Sequence, residues 1–451
     1  MNRHAEKELL QWKKNPLRKP LVLMGARQVG KTWLMQEFGK KHYKNVIYIS
    51  FDTNERMRQV MQGGYNMQRL LLMLQSESGI KPEPGKTLII FDEVQDCPQA
   101  LTSLKYFCET AREYHVIAAG SLLGIHVHEG TGFPVGKVDM IHLHPLTFSE
   151  YLEAIGQGSL VELINSQDWE LINIYAERLS ELLREYYYIG GMPEAVLTYV
   201  HTKDYATVRR VHHTLIEGYR RDFSKHAPQE LVPRIGMIWD SIPMQLAREN
   251  KKFMCKDVAP GARMRDIECA LQWLIDAGLI YRVSRVTKAA FPPAAYRDTV
   301  FKAFFLDVGL LAAMSDLHVQ TIVDGNRIFT EFKGALAEQY VQQQLRAINN
   351  RELFYWSSPQ SDAKIDFAFA AGEAFVPLEV KAEINLRAKS LLTFCRKQQV
   401  RLAIRTSLAP YSVNDVPTAN PDETFKLIDL PLFAIEDAFQ VCEQMQSNTS
   451  E

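Results

Sequence analysis

Short apolar segments alternate with amphipathic ones over the first 145 residues. Three apolar runs, at 20–24, 45–51 and 87–91, each end in polar or glycine-containing loops. Two further strands are predicted at 116–119 and 137–144. Apolar positions at helical spacing predict helices between these runs, and an amphipathic helix precedes them all. Strands that alternate with helices predict an α/β fold, in which helices cover both faces of a parallel sheet.

The rest of the chain changes pattern twice. Residues from about 146 to 245 have helical spacing, including a long amphipathic stretch from Trp169 to Tyr188. Residues 253–287 predict helix, helix and strand, the order of a winged helix-turn-helix. From 328 onward, a helix followed by several strands predicts a C-terminal α/β domain.

A loop between the first strand and the next helix matches G-x-x-x-x-G-K-[ST] at every position. Glycines let backbone N–H groups point at phosphate oxygens, and the helix N-terminus adds partial positive charge. Lys31 supplies a charge to the β and γ phosphates, and Thr32 offers a hydroxyl to Mg²⁺. We therefore predict an ATP and Mg²⁺ site that consists of Gly25, Ala26, Arg27, Gln28, Val29, Gly30, Lys31, Thr32 and Trp33.

The apolar strand at 87–91 delivers two carboxylates to the sheet edge. Asp92 is predicted to hold Mg²⁺, together with Thr32. Glu93 is the candidate general base for the water that attacks the γ phosphate, and Lys31 is the second candidate catalytic residue. Ser121 ends the next strand and is a candidate sensor of the γ phosphate; the alternative is an ordinary turn serine.

Transition-state charge also needs a cation, and the sequence leaves that role open. Lys137 and Arg27 are candidates within the chain. Arg220 and Arg221 are candidates if an adjacent subunit supplies the residue, so an oligomer fits the sequence. Each of these four is equally explained as a surface charge.

Composition mainly excludes protein classes. Of the 451 residues, 46% are hydrophobic and 23% are charged, and the net charge is -1, which neither requires nor excludes a nucleic-acid partner. The N-terminal residues lack the apolar segment of a signal peptide, and no run of 18 uncharged apolar residues occurs. The six cysteines form no Cys-x-x-Cys pair. We therefore expect a cytoplasmic protein with reduced thiols and no membrane span.

A second group of charged residues lies in the C-terminal strands. Asp366, Glu379 and Lys381 match the D…E-x-K pattern of restriction-endonuclease-like folds, and Glu338 adds a third carboxylate. Carboxylates can bind Mg²⁺, and Lys381 can position a water. Residues 381–405 contain seven Lys or Arg against one Glu, which suits phosphate contacts. The alternative is ordinary: strand alternation alone places Ile365, Phe367 and Phe369 on the core face and Asp366 on the outer face.

Five motifs in order make the chain resemble a known group. They are the loop at 25–32, Phe-Asp-Glu-Val-Gln at 91–95, Pro-Leu-Thr-Phe-Ser-Glu at 145–150, Tyr-Ile-Gly-Gly-Met-Pro-Glu at 188–194, and Leu-Glu-Val-Lys at 378–381. The chain is similar, over nearly its whole length, to bacterial and archaeal AAA-type P-loop ATPases that carry an uncharacterised, restriction-endonuclease-like C-terminal domain. The resemblance implies ATP binding. Where this chain has Lys364, members of the group mostly have an acidic residue, which puts metal binding in doubt.

Two functions from different classes follow. In the first, ATP hydrolysis is coupled to DNA binding or processing by the C-terminal domains; basic residues near the winged helix, Lys251, Lys252, Lys256, Arg263 and Arg265, favour it. In the second, the chain is a nucleotide switch that recruits a protein partner, and its C-terminal domain is an inactive scaffold.

The patterns and motifs together predict the domain organisation. The predicted regions are an ATPase domain at 1–150, a helical region at 151–245, a winged-helix-like domain at 246–325, a nuclease-like domain at 326–440 and a flexible tail at 441–451.

Overall fold

A computed structural model describes residues 2–121, 123, 133–323, 330–349, 351–358, 363–384, 387–418, 420 and 422–447. The chain forms two compact units. The first contains Met1–His144 and Gln272–Leu279, and the second contains Pro145–Leu271 and Ile280–Glu451. Among the described residues, no helix has both the length and the apolar character that a membrane crossing requires.

The first unit is built on a five-stranded parallel sheet. Its strands are β1 (Leu21–Met24), β2 (Asn45–Ser50), β3 (Thr87–Asp92), β4 (His115–Ala119) and β5 (Asp139–His142), in the spatial order β2-β3-β4-β1-β5. Its helices are α1 (Ala5–Lys14), α2 (Lys31–His42), α3 (Glu55–Met61), α4 (Met67–Ser78) and α5 (Pro98–Thr110). The predicted parallel sheet with flanking helices is confirmed.

Strand β3 lies inside this sheet, between β2 and β4, and all six of its residues are buried. A strand covered on both faces needs apolar side chains on both, which explains the unbroken run Leu88-Ile-Ile-Phe91. Because all strands are parallel, the carboxyl ends of β1, β3 and β4 meet at one edge. That edge brings together the loop after β1, Asp92 and Glu93 after β3, and Ser121 after β4.

The second unit contains most of the helices. They are α6 (Phe148–Ala154), α7 (Gly158–Ser166), α8 (Trp169–Ile174), α9 (Ala176–Ile189), α10 (Pro193–Thr202), α11 (Tyr205–His226), α12 (Val232–Ala247), α13 (Cys255–Val258), α14 (Met264–Asp276, which ends in the first unit's segment), α15 (Val308–Met314), α16 (Val319–Val323), α17 (Thr330–Asn349), α18 (Lys389–Gln398) and α19 (Ala438–Ser447). The amphipathic stretch that we expected from Trp169 to Tyr188 is two helices, which meet at Tyr175.

An eight-stranded mixed sheet forms the rest of the second unit. Its strands are β6 (Ile280–Val286), β7 (Arg297–Phe305), β8 (Phe354–Ser357), β9 (Lys364–Ala371), β10 (Ala374–Val380), β11 (Leu402–Ser407), β12 (Ser412–Pro417) and β13 (Thr424–Pro431), in the order β12-β13-β11-β10-β9-β8-β6-β7. The hairpin of β6 and β7 continues this sheet through β8. One sheet therefore contains strands from both the region predicted as a winged-helix-like domain, 246–325, and the region predicted as a nuclease-like domain, 326–440.

Strand alternation is wrong for β9, where we expected Ile365 and Phe367 to share a core face. The pairing of β8 with β9 shifts register between Phe354 and Trp356. Ile365 packs in a cluster with Ala368, whereas the Phe367 ring lies against Phe304. A bulge adds one residue to a strand and so breaks the period of two.

The motifs at 145–150 and 188–194, which suggested no chemistry, form a packing centre of the second unit. Leu146 N donates to Gly191 O at 2.7 Å, and Tyr186 Oη donates to Leu146 O. Gly191 N in turn donates to Asp307 Oδ2 at 2.6 Å. A Cβ on Gly191 would collide with Leu146 O, which explains why only glycine fits there. These residues therefore hold the fold together.

Buried polar side chains surround this centre. Thr147 caps α6 in a capping box with Glu150, and Phe148 N donates to Gln344 Oε1 at 2.8 Å. Gln343 Nε2 donates to Tyr186 Oη and to Asp307 Oδ2, at 3.0 and 3.1 Å. Helix α17 is thus bonded directly to the first motif through Gln344, and it reaches Gly191 of the second motif through Gln343 and Asp307.

Candidate nucleotide site

The loop after β1 has the backbone shape that phosphate binding needs. Gly25 (φ 142°), Gln28 (φ 67°) and Gly30 (φ 94°) all have positive φ. A Cβ on Gly25 would collide with Leu143 O, so a larger residue cannot take this position. Helix α2 begins directly after Gly30, which points its first N–H groups into the loop.

Lys31 begins α2 and lies inside the loop. Its Nζ donates to Gly25 O at 2.9 Å and to Ala26 O at 2.8 Å. Burial lowers the pKa of Lys31 to about 8, while the charges of Glu93 and Asp92 oppose this shift. The loop carbonyls therefore hold the ammonium where phosphate oxygens can replace them.

Asp92 and Thr32 lie together, as the sequence predicted. Thr32 Oγ1 donates to Asp92 Oδ2 at 2.6 Å, and Tyr48 Oη donates to the same oxygen at 3.0 Å. Glu93 N donates to Asp92 Oδ1 at 3.0 Å. Burial raises the pKa of Asp92, and the hydrogen bonds from Thr32 and Tyr48 oppose that shift. A hydroxyl and a desolvated carboxylate are hard oxygen donors, so this pair fits Mg²⁺.

Glu93 follows in the left-handed conformation, with φ 51° and ψ 45°. Its Oε2 accepts from Gln95 Nε2 at 2.6 Å and from Ser121 Oγ at 3.1 Å. Glu93 and Ser121, which we predicted separately as base and sensor, thus form one hydrogen-bonded group. Because a non-glycine residue at positive φ is uncommon, the turn points to a functional constraint.

Sequence reasoning missed three residues that support this site. Tyr48 bonds Asp92 from β2, and Gln95 bonds Glu93 from the turn after β3. Buried Arg3 donates to Val29 O at 2.9 Å and to His144 O at 2.5 Å, and so fixes the back of the loop. Gln95 stood inside a quoted motif, but nothing in the sequence linked Arg3 to residue 29.

The remaining predicted residues have other surroundings. Trp33 follows the loop on α2, and 42% of its surface is exposed. Lys137 pairs with Glu109 at 2.9 Å. Arg220 pairs with Asp240 at 2.7 Å, and Arg221 lies 3.7 Å from Glu217. Arg27 is exposed on the loop. These surface pairs do not identify the cation for the transition state.

The second unit brings together all four residues predicted as a second site, but in buried ion pairs. Glu338 lies between two ammonium groups: Lys251 Nζ contacts its Oε1, and Lys302 Nζ lies 3.0 Å from its Oε2. Lys302 Nζ is also 4.0 Å from Asp366 Oδ1. Lys381 Nζ lies 2.7 Å from Glu379 Oε1. The outer face that we expected for these charges is wrong, because Asp366 and Glu379 are only 4% and 6% exposed.

Each carboxylate of this cluster lies near an ammonium group. Three carboxylates, Glu338, Asp366 and Glu379, face three ammonium groups, Lys251, Lys302 and Lys381. Burial alone would raise the pKa of Glu338, but Lys251 and Lys302 hold it at about 2. Burial, with Asp366 nearby, raises the pKa of Glu379 to about 7. Within the described part of the chain, no three metal-binding side chains are arranged to hold an ion. In this structure the charge partners of these carboxylates are therefore ammonium groups.

The basic residues near the predicted winged helix differ in how far they are exposed to solvent. Lys251 belongs to the buried cluster. Lys256, Arg263 and Arg265 are exposed, and Lys252 is half-buried. The exposed members remain available for phosphate contacts.

Three families match successive parts of the chain. Residues 17–152 match an AAA domain. Residues 180–321 and 333–431 match two domains of unknown function, DUF8612 and DUF4143. With the loop geometry above, the first match shows that the chain carries a P-loop ATPase domain of the AAA type. The nuclease-like character of the C-terminal region stays a prediction.

Several solved structures are distantly similar. A Walker-type ATPase of Pyrococcus abyssi is 15% identical, with a TM-score of 0.44 over 70% of this chain and 95% of that chain. The ORC1 protein of Aeropyrum pernix, in complex with DNA, is 14% identical, with a TM-score of 0.29 over 70% and 93%. AMPPCP-bound DnaA from Aquifex aeolicus is 12% identical, with a TM-score of 0.26 over 60% and 86%. No curated protein matches the chain. At these TM-scores no function follows from the likeness.

Proposed function

We propose that this chain binds and hydrolyses ATP at the edge of its five-stranded sheet. The observation that supports this most is the hydrogen-bonded group around Glu93, because it adds an oriented base to a phosphate-binding loop. Backbone N–H groups of Gly25 to Thr32 bind the phosphates, and Lys31 offsets their charge. Thr32 and Asp92 would hold Mg²⁺, which would supply positive charge to offset that of the phosphates.

In the reaction, Glu93 accepts a proton from a water whose oxygen attacks the γ phosphorus. The bond between that phosphorus and the bridging oxygen breaks, and ADP leaves with the electron pair. Ser121 donates to the same carboxylate oxygen as Gln95, so the base keeps one orientation while the proton moves. Tyr48 and Thr32 keep Asp92 aimed at the cation.

Two substitutions test this function through different steps. Lys31→Ala removes the charge that the phosphates need, so it should weaken ATP binding at equilibrium. Glu93→Gln keeps the size of the side chain but cannot accept the proton, so phosphate release should fall by about 100-fold or more while ATP still binds. If Glu93→Gln releases phosphate at the wild-type rate, Glu93 is not the base.

For the C-terminal half, the buried ion pairs favour the switch over the nuclease. Lys251 and Lys302 hold Glu338, the third carboxylate added to the nuclease-like pattern, in buried ion pairs. Removing one partner of such a pair leaves an uncompensated buried charge, which is strongly destabilising. We infer that ATP hydrolysis controls recruitment of a protein partner, with the C-terminal region as a scaffold.

DNA processing is the competing function, and one pair of assays separates the two. ATP turnover is measured with and without duplex and single-stranded DNA at low salt, and plasmid nicking is measured with Mg²⁺ and Mn²⁺. The switch predicts no change in turnover and no nicking. Stimulated turnover, or nicking that Asp366→Ala abolishes, would establish DNA processing instead. Nicking that survives in Asp366→Ala comes from a contaminant.

A further inference from the structure

Gln95 contacts Glu93 in the nucleotide site, and the roles of the phosphate-binding loop, Asp92 and Glu93 do not explain why an amide is there. It lies in the 3₁₀ turn Val94–Asp96, directly after Glu93. Its Nε2 is 2.6 Å from Glu93 Oε2 and 3.4 Å from Ser121 Oγ. An ionised carboxylate can only accept hydrogen bonds. The end of the Gln95 amide that faces Glu93 must therefore be the NH₂ group.

The backbone around Gln95 is shaped to make this contact. Glu93 adopts positive φ, which turns the chain sharply. The turn brings the Gln95 amide back to the Glu93 carboxylate. Across the site, a Cβ on Gly120 would collide with Gln95 Oε1. Gly120 therefore provides the space that the amide fills, and Ser121, the next residue, donates to the same carboxylate.

The other end of the Gln95 amide is an unusual feature of the site. Gln95 Oε1 is buried and has no hydrogen-bond partner among the described residues. Buried acceptors without a partner are rare in folded proteins. A residue chosen for packing alone would be apolar here. The polar amide is explained by what its other end does to Glu93.

We propose that Gln95 is a positioning residue for ATP hydrolysis, which holds the Glu93 carboxylate in the orientation that accepts the proton of the attacking water. This inference rests on the proposed hydrolysis. A general base misplaced by about 1 Å can lose on the order of 100-fold in rate. The contact belongs to the chemical step, so its loss leaves ATP binding unchanged.

The test compares kcat and ATP affinity in four variants. Gln95→Ala and Gln95→Met both remove the hydrogen bond, and Gln95→Met keeps the length and packing of the side chain. Both should lower kcat by about 10- to 100-fold and leave the Kd for ATP within about twofold of wild type. Glu93→Gln provides the fully inactive reference. Gln68→Ala, an exposed glutamine on α4, is the matched control and should behave as wild type.

Gly120→Ala adds an independent check. Its new methyl group displaces the Gln95 amide, so it should lower kcat as Gln95→Ala does. In the double variant Gly120→Ala with Gln95→Ala, the amide oxygen that collides is gone, and the remaining tight contact of the new methyl group is with the Leu123 side chain at 3.1 Å. The double variant should therefore be no slower than Gln95→Ala alone, which is the non-additivity expected for residues in contact.

Each result decides between distinct conclusions. Wild-type kcat in both Gln95 variants, with Glu93→Gln inactive, overturns the role of Gln95 and leaves the proposed function intact. Loss of ATP binding in Gln95→Met shows that Gln95 builds the pocket, which also overturns it. If wild type releases no phosphate, or Glu93→Gln releases it at the wild-type rate, the proposed function fails and this inference fails with it.

Discussion

Asp307 shows how burial and hydrogen bonding set the properties of a single residue. It is fully buried, and it accepts from Gly191 N, Leu310 N and Gln343 Nε2. Burial raises the pKa of Asp307 to about 6, although these three donors favour the charged form. The carboxyl thus binds its proton more tightly in the folded protein than in the unfolded chain.

The pH dependence of stability follows from that shift. Because the folded pKa is raised, this residue's contribution is fully present below about pH 4 and is lost as pH rises through 6. Asp307→Asn cannot titrate. Wild type should therefore lose roughly 2 kcal/mol of unfolding free energy relative to Asp307→Asn between pH 4 and pH 7.

Urea unfolding of both proteins at the two pH values measures this difference. Asp422→Asn, at an exposed aspartate, is the control. Its free energy of unfolding should differ from that of wild type by nearly the same amount at both pH values. A difference for Asp307→Asn that stays constant with pH would contradict the raised pKa.

Single residues were predictable where a local motif fixed them. Gly25 to Thr32, Asp92 and Glu93 follow from spacing along the chain, and the structure gathers them at one edge. Arg3 and Tyr48 were not predictable, because their contacts join residues 26 and 44 positions apart. A charged or aromatic side chain gives no local sign of such a partner.

At the scale of elements, the segment at 188–194 is defined by close backbone contact. Gly191→Ala would drive a methyl group into the backbone of Leu146, where no side-chain movement can relieve it. We expect a loss of about 3 kcal/mol or more in the free energy of unfolding. Gly218 lies within α11 and has open space around its missing Cβ. Gly218→Ala should instead stabilise the protein by about 0.5–1 kcal/mol.

Thermal or urea unfolding of the two variants beside wild type measures the predicted loss of stability in Gly191→Ala and the predicted gain in Gly218→Ala. Equal effects at the two glycines would show that contact with Leu146 does not govern the effect at Gly191.

Helices and strands were predictable where one period dominated, as in β3 and α2. The prediction failed where burial came from distant elements. Asp366 and Glu379 alternate with apolar residues, which is typical of an exposed face, yet α17 contributes Glu338 to the same buried cluster. Periodicity records which side chains share a face, and it does not record whether another element covers that face.

At the scale of the whole molecule, the chain joins an AAA-type ATPase unit to a larger unit whose families have no known function. The two units differ in what their charges do. In the first, Lys31 and Glu93 surround a place for phosphates. In the second, Lys251 and Lys302 form buried ion pairs with Glu338. The proposed ATP hydrolysis therefore belongs to the first unit.

If Glu93 accepts the proton during ATP hydrolysis, the nucleotide that stays on the protein after incubation with ATP depends on residue 93. Wild type and Glu93→Gln are each incubated with ATP and Mg²⁺, freed of unbound nucleotide and denatured, and the released nucleotide is identified. We predict ADP from wild type and intact ATP from Glu93→Gln. ADP from Glu93→Gln, formed as fast as in wild type, would contradict the account.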